Sequence, residues 1–210
     1  MGRDPVRDAY AARALEYQAA LGRIDATHPA DRSLVASWAA GLTGPVIDAG
    51  CGPGHWTKYL SDLGAHAEGV DTVPEFVALA GARFPDVAFS EGTFFSLGVS
   101  DGSVAGVLAW YSLIHLDPAD VPVVFEEFAR CLRPGGHLLV GFFEGAAVET
   151  FPHAVAPAYT WPVDELAGHL LAAGFTVREV QSRTDPGQRP HAAIAAQRLQ
   201  SSVMGRHPGR

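Results

Sequence analysis

Three glycines at alternate positions, Gly50, Gly52 and Gly54, lie between the apolar run Pro45-Val46-Ile47-Asp48-Ala49 and a stretch of helical spacing over 55–63. A buried strand that enters a glycine turn and leaves as a helix aims backbone N–H groups at the turn. Glycine there permits positive φ and close approach of a ligand. That is the layout of a nucleotide-type site. Asp71 ends the next apolar stretch, 17 residues past Gly54, and offers two acceptor oxygens suited to the vicinal diol of a ribose. His115 follows a continuous apolar run, Val104–Trp110, and is the side chain best suited to act as a general base near neutrality. Ligands of open α/β sheets bind at the carboxyl ends of the strands, so Trp110 and the residues 111–116 are placed for chemistry by topology.

The elements that must hold these side chains can be read along the chain. An amphipathic helix is predicted over 5–21, and Tyr10 and Tyr17, seven apart, share a face that suits covering a core. A second helix follows over 29–42, capped by Thr27 or His28, with Leu34, Val35, Trp38 and Leu42 as its stripe. The strand at 45–49, the helix at 55–63 and a strand over 65–70 make one right-handed βαβ unit. Next come a helix over 74–84, a short strand over 87–89 and the central strand Val104–Trp110, apolar throughout as a strand buried on both faces must be. A helix over 120–132, a break at Arg133-Pro134-Gly135-Gly136 and a strand over 137–143 continue the alternation.

Residues 144–161 have no sustained period and carry Phe151, His153, Tyr159 and Trp161, so they read as an irregular lid or binding loop. Its aromatic side chains suit an aromatic acceptor pocket, or simply the exclusion of water. A helix over 162–173 and strands over 175–181 and 191–198 complete the pattern, and a disordered tail is predicted for 201–210. The whole reads as one domain over 1–200, with 1–42 and 144–161 forming a lid.

A chain of 210 residues, 48% hydrophobic, is long enough for one α/β core, and no apolar run approaches the roughly 20 residues that span a membrane. The net charge of −8 and the single lysine, Lys58, argue against nucleic acid as a partner. The first residues lack the apolar run of a signal peptide, and Cys51 and Cys131 read as packing residues, which makes a cytoplasmic location the default and gives no reason to expect a metal.

Val46-Ile47-Asp48-Ala49-Gly50-Cys51-Gly52-Pro53-Gly54, Gly69-Val70-Asp71 and Leu132-Arg133-Pro134-Gly135-Gly136, in this order and spacing, resemble the motifs of the class I S-adenosylmethionine (SAM) dependent methyltransferases of small molecules. The resemblance implies a Rossmann-like α/β fold with helices on both faces of a seven-stranded sheet of order 3-2-1-4-5-7-6, the last strand antiparallel. It implies SAM as cofactor, with S-adenosylhomocysteine (SAH) as product. The loop residues Asp48, Ala49, Gly50, Cys51, Gly52 and Gly54 would hold the methionine end and Asp71 the ribose. Phe94 would pack on adenine. Where the family often has an acidic residue for the adenine amino group this chain has Thr93, with Glu91 as a substitute. Trp110 and Tyr17 complete the expected cofactor contacts, transfer is expected to rest mainly on proximity and in-line positioning, and His115 is the candidate base, or else a packing or positioning residue, for a small-molecule acceptor whose reacting atom, O, N, C or S, the residues leave open.

Two other readings carry a distinguishing feature. An NAD-type oxidoreductase would want a third glycine at position 55, which is His55. A non-catalytic SAM-binding module would not need the intact set of glycines with Asp48 and Asp71.

Overall fold

A computed structural model describes residues 4–200; residues 1–3 and the expected tail at 201–210 lie outside the described residues. Helices α1 (Pro5–Ala12), α2 (Ala14–Leu21) and α3 (Pro29–Ala39) precede the sheet. Strands β1 (Pro45–Ala49), β2 (His66–Asp71), β3 (Ala88–Glu91) and β4 (Val104–Trp110) alternate with helices α4 (His55–Asp62) and α5 (Pro74–Arg83). Helix α6 (Val121–Cys131) leads into β5 (Leu132–Glu144), followed by β6 (Glu149–Phe151), β7 (Ala158–Trp161), α7 (Val163–Ala172), β8 (Phe175–Arg183) and β9 (His191–Arg198).

The strands pair in the order β3-β2-β1-β4-β5-β9-β8, parallel as far as β5 and antiparallel from β5 to β9 and from β9 to β8. This is the expected order with its antiparallel last strand. Alternation along the central strands divides the core between the two faces. Ile47, Val107 and Leu138 pack with Phe125 and Phe128 of α6 and Leu166 and Leu170 of α7, while Val46, Leu108 and Leu139 pack with Val35 of α3 and Trp56 and Leu60 of α4. Cys51 and Cys131 are free and buried.

Three expectations are corrected. The helix over 5–21 breaks at Arg13, which leaves helical geometry at φ −120° and ψ 14°. In a continuous helix residues seven apart are separated by about 10 Å along the axis. Here the rings of Tyr10 and Tyr17 meet at 5.4 Å and both pack on Phe76. The break lets α1, which buries no residue of its own, turn over the sheet edge. Second, Arg133-Pro134-Gly135-Gly136 does not separate helix from strand: Leu132 already pairs with Val104, and the glycines form a bulge before Gly106 pairs with His137.

Third, residues 144–161 are not irregular throughout. Strands β6 and β7 form an antiparallel pair, and β7 runs parallel to the end of β5, giving nine strands among the described residues. Phe143 pairs with His191 of β9 on one edge and Thr160 of β7 on the other. A strand has only two edges, so β7 takes up the edge that β4 leaves after Trp110 pairs with Gly141. The amide of Tyr159 donates to the carbonyl of Ile114 at 2.7 Å. The pair β6–β7 therefore stands as a roof over the carboxyl end of β4.

Candidate active site

A cavity of about 610 Å³ opens along the carboxyl ends of β1, β2 and β4 and reaches His153 in the loop between β6 and β7. Its first wall is the turn between β1 and α4. Gly50 has φ +75° and Gly52 φ +52°, values that side chains rarely adopt. A Cβ on Gly50 would fall 2.4 Å from Cβ of Ser112 and 3.0 Å from the Phe94 ring, so glycine is needed to let three segments meet. A Cβ on Gly52 would meet no atom within 4 Å, which leaves its face of the backbone open to a ligand in the cavity. Gly54 serves differently: a Cβ there would strike Phe89 and Ala80 at 2.7 and 2.8 Å, so this glycine lets α4 seat on its neighbours.

Asp71 is buried at the end of β2. Its Oδ2 accepts from the Gly52 amide at 2.8 Å and its Oδ1 from the Val73 amide at 2.9 Å. The carboxylate thus fixes the glycine turn, and each oxygen keeps a lone pair for a further donor. Burial raises its pKa above the ordinary value. Asp48 is buried at the base of the turn and accepts from the Thr57 hydroxyl at 2.7 Å. Burial pushes its carboxyl up to about 7, opposed by the Thr57 hydrogen bond and helped by the nearby charge of Asp71.

Cys51, Thr93, Phe94, Trp110 and Tyr17 also line the cavity. Ala49 and Gly54 do not; Ala49 is fully buried between the sheet and the α6 layer. Glu91 is exposed and outside the cavity wall, which leaves Thr93 as the polar side chain beside Phe94. The Ser112 hydroxyl, on the loop after β4, is buried without a partner among the described residues, an orphan suited to a bound polar group.

His115 lies under the roof with both ring nitrogens engaged. Its Nδ1 is 2.7 Å from the Pro157 carbonyl and its Nε2 2.7 Å from the Tyr10 hydroxyl. A carbonyl can only accept, so in the neutral ring the proton sits on Nδ1 and Nε2 accepts from Tyr10. Burial lowers the His115 pKa and, with the nearby Tyr17 and Asp71, raises that of Tyr10. Nε2 of His115 is therefore engaged by Tyr10, whose spacing alone suited covering the core.

Tyr111 entered the sequence-based site only by its place after β4, and His191 lay outside it. Tyr111 ends β4 at φ +53°, an uncommon conformation for a bulky residue, and its hydroxyl lies 2.7 Å from Nδ1 of His191 on β9. His153 lines the cavity as expected, but Tyr159 and Trp161 do not: they alternate away from it along β7, and Trp161 is buried against His169 of α7. The signal for Tyr111 was its place after a buried strand; nothing local marks His191. Among the described residues no group of three or more His, Cys, Asp or Glu is placed to hold a metal, and no helix is long and apolar enough to cross a membrane.

A family model described as a methyltransferase domain matches residues 46–136. An uncharacterized methyltransferase of Mycobacterium tuberculosis is 36% identical over 93 residues, which is 44% of this chain and 37% of the relative. A dTDP-3-amino-3,6-dideoxy-alpha-D-glucopyranose N,N-dimethyltransferase of Streptomyces fradiae is 28% identical over 146 residues, 68% of this chain and 52% of that one. The chain thus spans about a third to a half of the length of these relatives. Among solved structures, the 1,6-didemethyltoxoflavin-N1-methyltransferase of Burkholderia thailandensis, with bound 1,6-didemethyltoxoflavin and SAH, superposes with a TM-score of 0.72 at 23% identity, covering 95% of this chain and 92% of that one. The magnesium protoporphyrin IX methyltransferase of Synechocystis with bound SAM gives 0.74 at 18% identity, over 94% and 98%.

Proposed function

We propose that the chain is a class I SAM-dependent methyltransferase, a reading that its methyltransferase-domain match over residues 46–136 supports, and that it transfers the methyl group of SAM to a small acceptor held at the end of the cavity lined by His115 and His153. The observation that carries this reading is the continuity of one cavity from the Asp71-braced glycine turn to the Tyr10–His115 pair. SAM supplies an electrophilic methyl on a sulfonium that leaves as a neutral thioether.

The chain's own contribution is position and a path for a proton. Gly52 and the turn amides receive the methionine end, the spare lone pairs of Asp71 take the ribose hydroxyls, and Thr93 and Phe94 meet the adenine. Holding two reactants in register is worth roughly 7 to 11 kcal/mol of barrier. The acceptor's O–H or N–H donates to Tyr10, whose own proton passes to Nε2 of His115, and the Pro157 carbonyl keeps the resulting imidazolium oriented. Helices α1 and α2 close the cavity together with 144–161: the Arg13 guanidinium donates to the Ala154 carbonyl, joining the two halves of the lid.

SAH at 100 times its dissociation constant adds about 2.7 kcal/mol of stability and raises the melting temperature, while NAD leaves it unchanged. A shift with NAD and none with millimolar SAH would transfer the reading to an oxidoreductase. Asp71→Ala removes charge-assisted bonds worth about 1.5 to 3 kcal/mol each and weakens SAH by roughly tenfold or more. The variant also frees the Gly52 and Val73 amides, so its melting temperature without ligand falls; calorimetric titration at a temperature where it stays folded isolates the binding loss. Wild-type SAH affinity in that variant would remove Asp71 from the site.

A further inference from the structure

Six rings form an unbroken series of contacts around the roofed end of the cavity. Tyr10 of α1 meets His115 at 5.4 Å between centroids, His115 meets His153 at 5.3 Å, and His153 meets Phe143 at 5.8 Å. Phe143 then meets Tyr111 at 5.3 Å and His191 at 5.5 Å, and those two close on each other at 5.5 Å. All six line the cavity, although they come from α1, the loop after β4, the loop between β6 and β7, β5 and β9. We propose that this belt is the acceptor subsite, and that its ligand is a neutral, planar aromatic or heteroaromatic molecule carrying an O–H or N–H. The inference rests on the methyl-transfer reading above and names the acceptor class for it.

Charge supports neutrality. Of the described residues lining the cavity, Arg7 is the one lysine or arginine, and it is exposed, whereas six aspartates line the same space: Asp4, Asp31, Asp48, Asp71, Asp117 and Asp120. The nearby Arg183 is held by Asp31 at 2.6 Å and Asp185 at 2.7 Å. A phosphate or carboxylate acceptor would enter a negative field with no buried cation to meet it. The belt itself is uncharged near neutrality, since burial lowers the pKa of His115, His153 and His191 and raises that of Tyr10 and Tyr111.

Hydrogen-bond direction specifies the edge of the ligand. Tyr10 spends its proton on His115, so its oxygen presents lone pairs to the cavity, which an O–H or N–H satisfies and an ether or ester does not. Nδ1 of His153 is buried without a protein partner, a second polar point for the same planar molecule. Ring faces and edges around a slot favour a flat π-system over a saturated ring of equal size.

The test uses three naphthalene-sized probes, titrated calorimetrically into the whole protein with and without saturating SAH. 2-Naphthol should bind at least about tenfold more tightly than 2-naphthoate, whose charge must be buried, and than trans-decahydro-2-naphthol, which lacks the π-system. Phe143→Leu should weaken 2-naphthol by about three- to tenfold and leave SAH within about twofold, because one ring contact is lost outside the cofactor wall. Equal binding of 2-naphthoate, equal binding of the saturated alcohol, or no 2-naphthol binding by a protein that binds SAH overturns the aromatic acceptor alone. Failure to bind SAH, with 2-naphthol still preferred, overturns the methyl-transfer reading and leaves the belt as an aromatic site.

Discussion

Replacing His115 by alanine lowers the single-turnover rate of methyl transfer by about 10² to 10⁴, the range for a positioned base, with SAH affinity near wild type. The separation follows from geometry: Nε2 of His115 faces Tyr10 and Nδ1 faces the roof, while the turn that receives the cofactor is held by Asp71. Tyr10→Phe keeps the ring and its packing but cuts the proton path, so it loses a similar factor, and the double variant loses little more than either, as residues acting in series do. The wild-type rate also has a defined pH dependence. Burial places the His115 pKa below its ordinary 6.5, and the base form is the neutral ring. The rate rises with pH on the acid side of that value and is level from about pH 7 upward.

Stability follows the same sign: the folded state binds fewer protons than the unfolded chain, so this contribution is complete above pH 6.5 and is lost as pH falls. Single-turnover transfer from saturating SAM between pH 5 and 9 measures the rate profile, and thermal denaturation over the same range measures the stability. An alanine variant within about tenfold of wild type, with an unchanged pH profile, would leave proximity as the whole mechanism and His115 as a strut between α1 and the roof.

Gly50→Ala weakens SAH binding by about a hundredfold or more, equivalent to roughly 2.8 kcal/mol. Its Cβ would sit 2.4 Å from Ser112 and 3.0 Å from Phe94, at a backbone φ of +75°. The left-handed conformation costs about 1 to 2 kcal/mol for a residue with a Cβ, and forcing the contacts about 1 to 3 kcal/mol more. Those contacts displace Ser112 and Phe94, both on the cavity wall.

Gly52→Ala provides the contrast. It carries the same kind of backbone cost but meets no protein atom within 4 Å, so the fold keeps most of its stability while the added methyl occupies space opened for the ligand. Chemical denaturation and SAH titration of the two variants separate the effects. Gly52→Ala binding SAH as wild type does would show that the ligand does not approach the turn at that residue.

Local chemistry explains why much of this was legible in the sequence. Strand β1, the glycine turn, α4 and the acid ending β2 lie within 27 residues, 45–71, and glycine spacing, alternation and strand-end position are short-range signals. They led to the strand, turn and helix and to an acid at 71 suited to a diol, while the sheet order and the places of Thr93 and Phe94 came from the resemblance of the motifs. The segment 144–161 was legible only as a place in the chain. Its β6–β7 pair is short, and the register of β7 against β5 turns Tyr159 and Trp161 away from the cavity, a consequence of two-residue alternation that cannot be applied before the strand is known.

The sequence by itself determined a cofactor-type turn, because backbone conformation and strand termini are set by neighbours in the chain. Tertiary structure alone decided the far end of the cavity, where Tyr10, Tyr111, His115 and His191 gather. Tyr10 meets His115 across 105 residues and Tyr111 meets His191 across 80, and no local pattern encodes a contact made by the break at Arg13 or by an antiparallel strand returning from the far end of the chain. Whether a histidine is a free base, a partnered one or part of a ring belt depends on which distant side chains desolvate it and engage its two nitrogens, and those partners assemble only when the sheet closes.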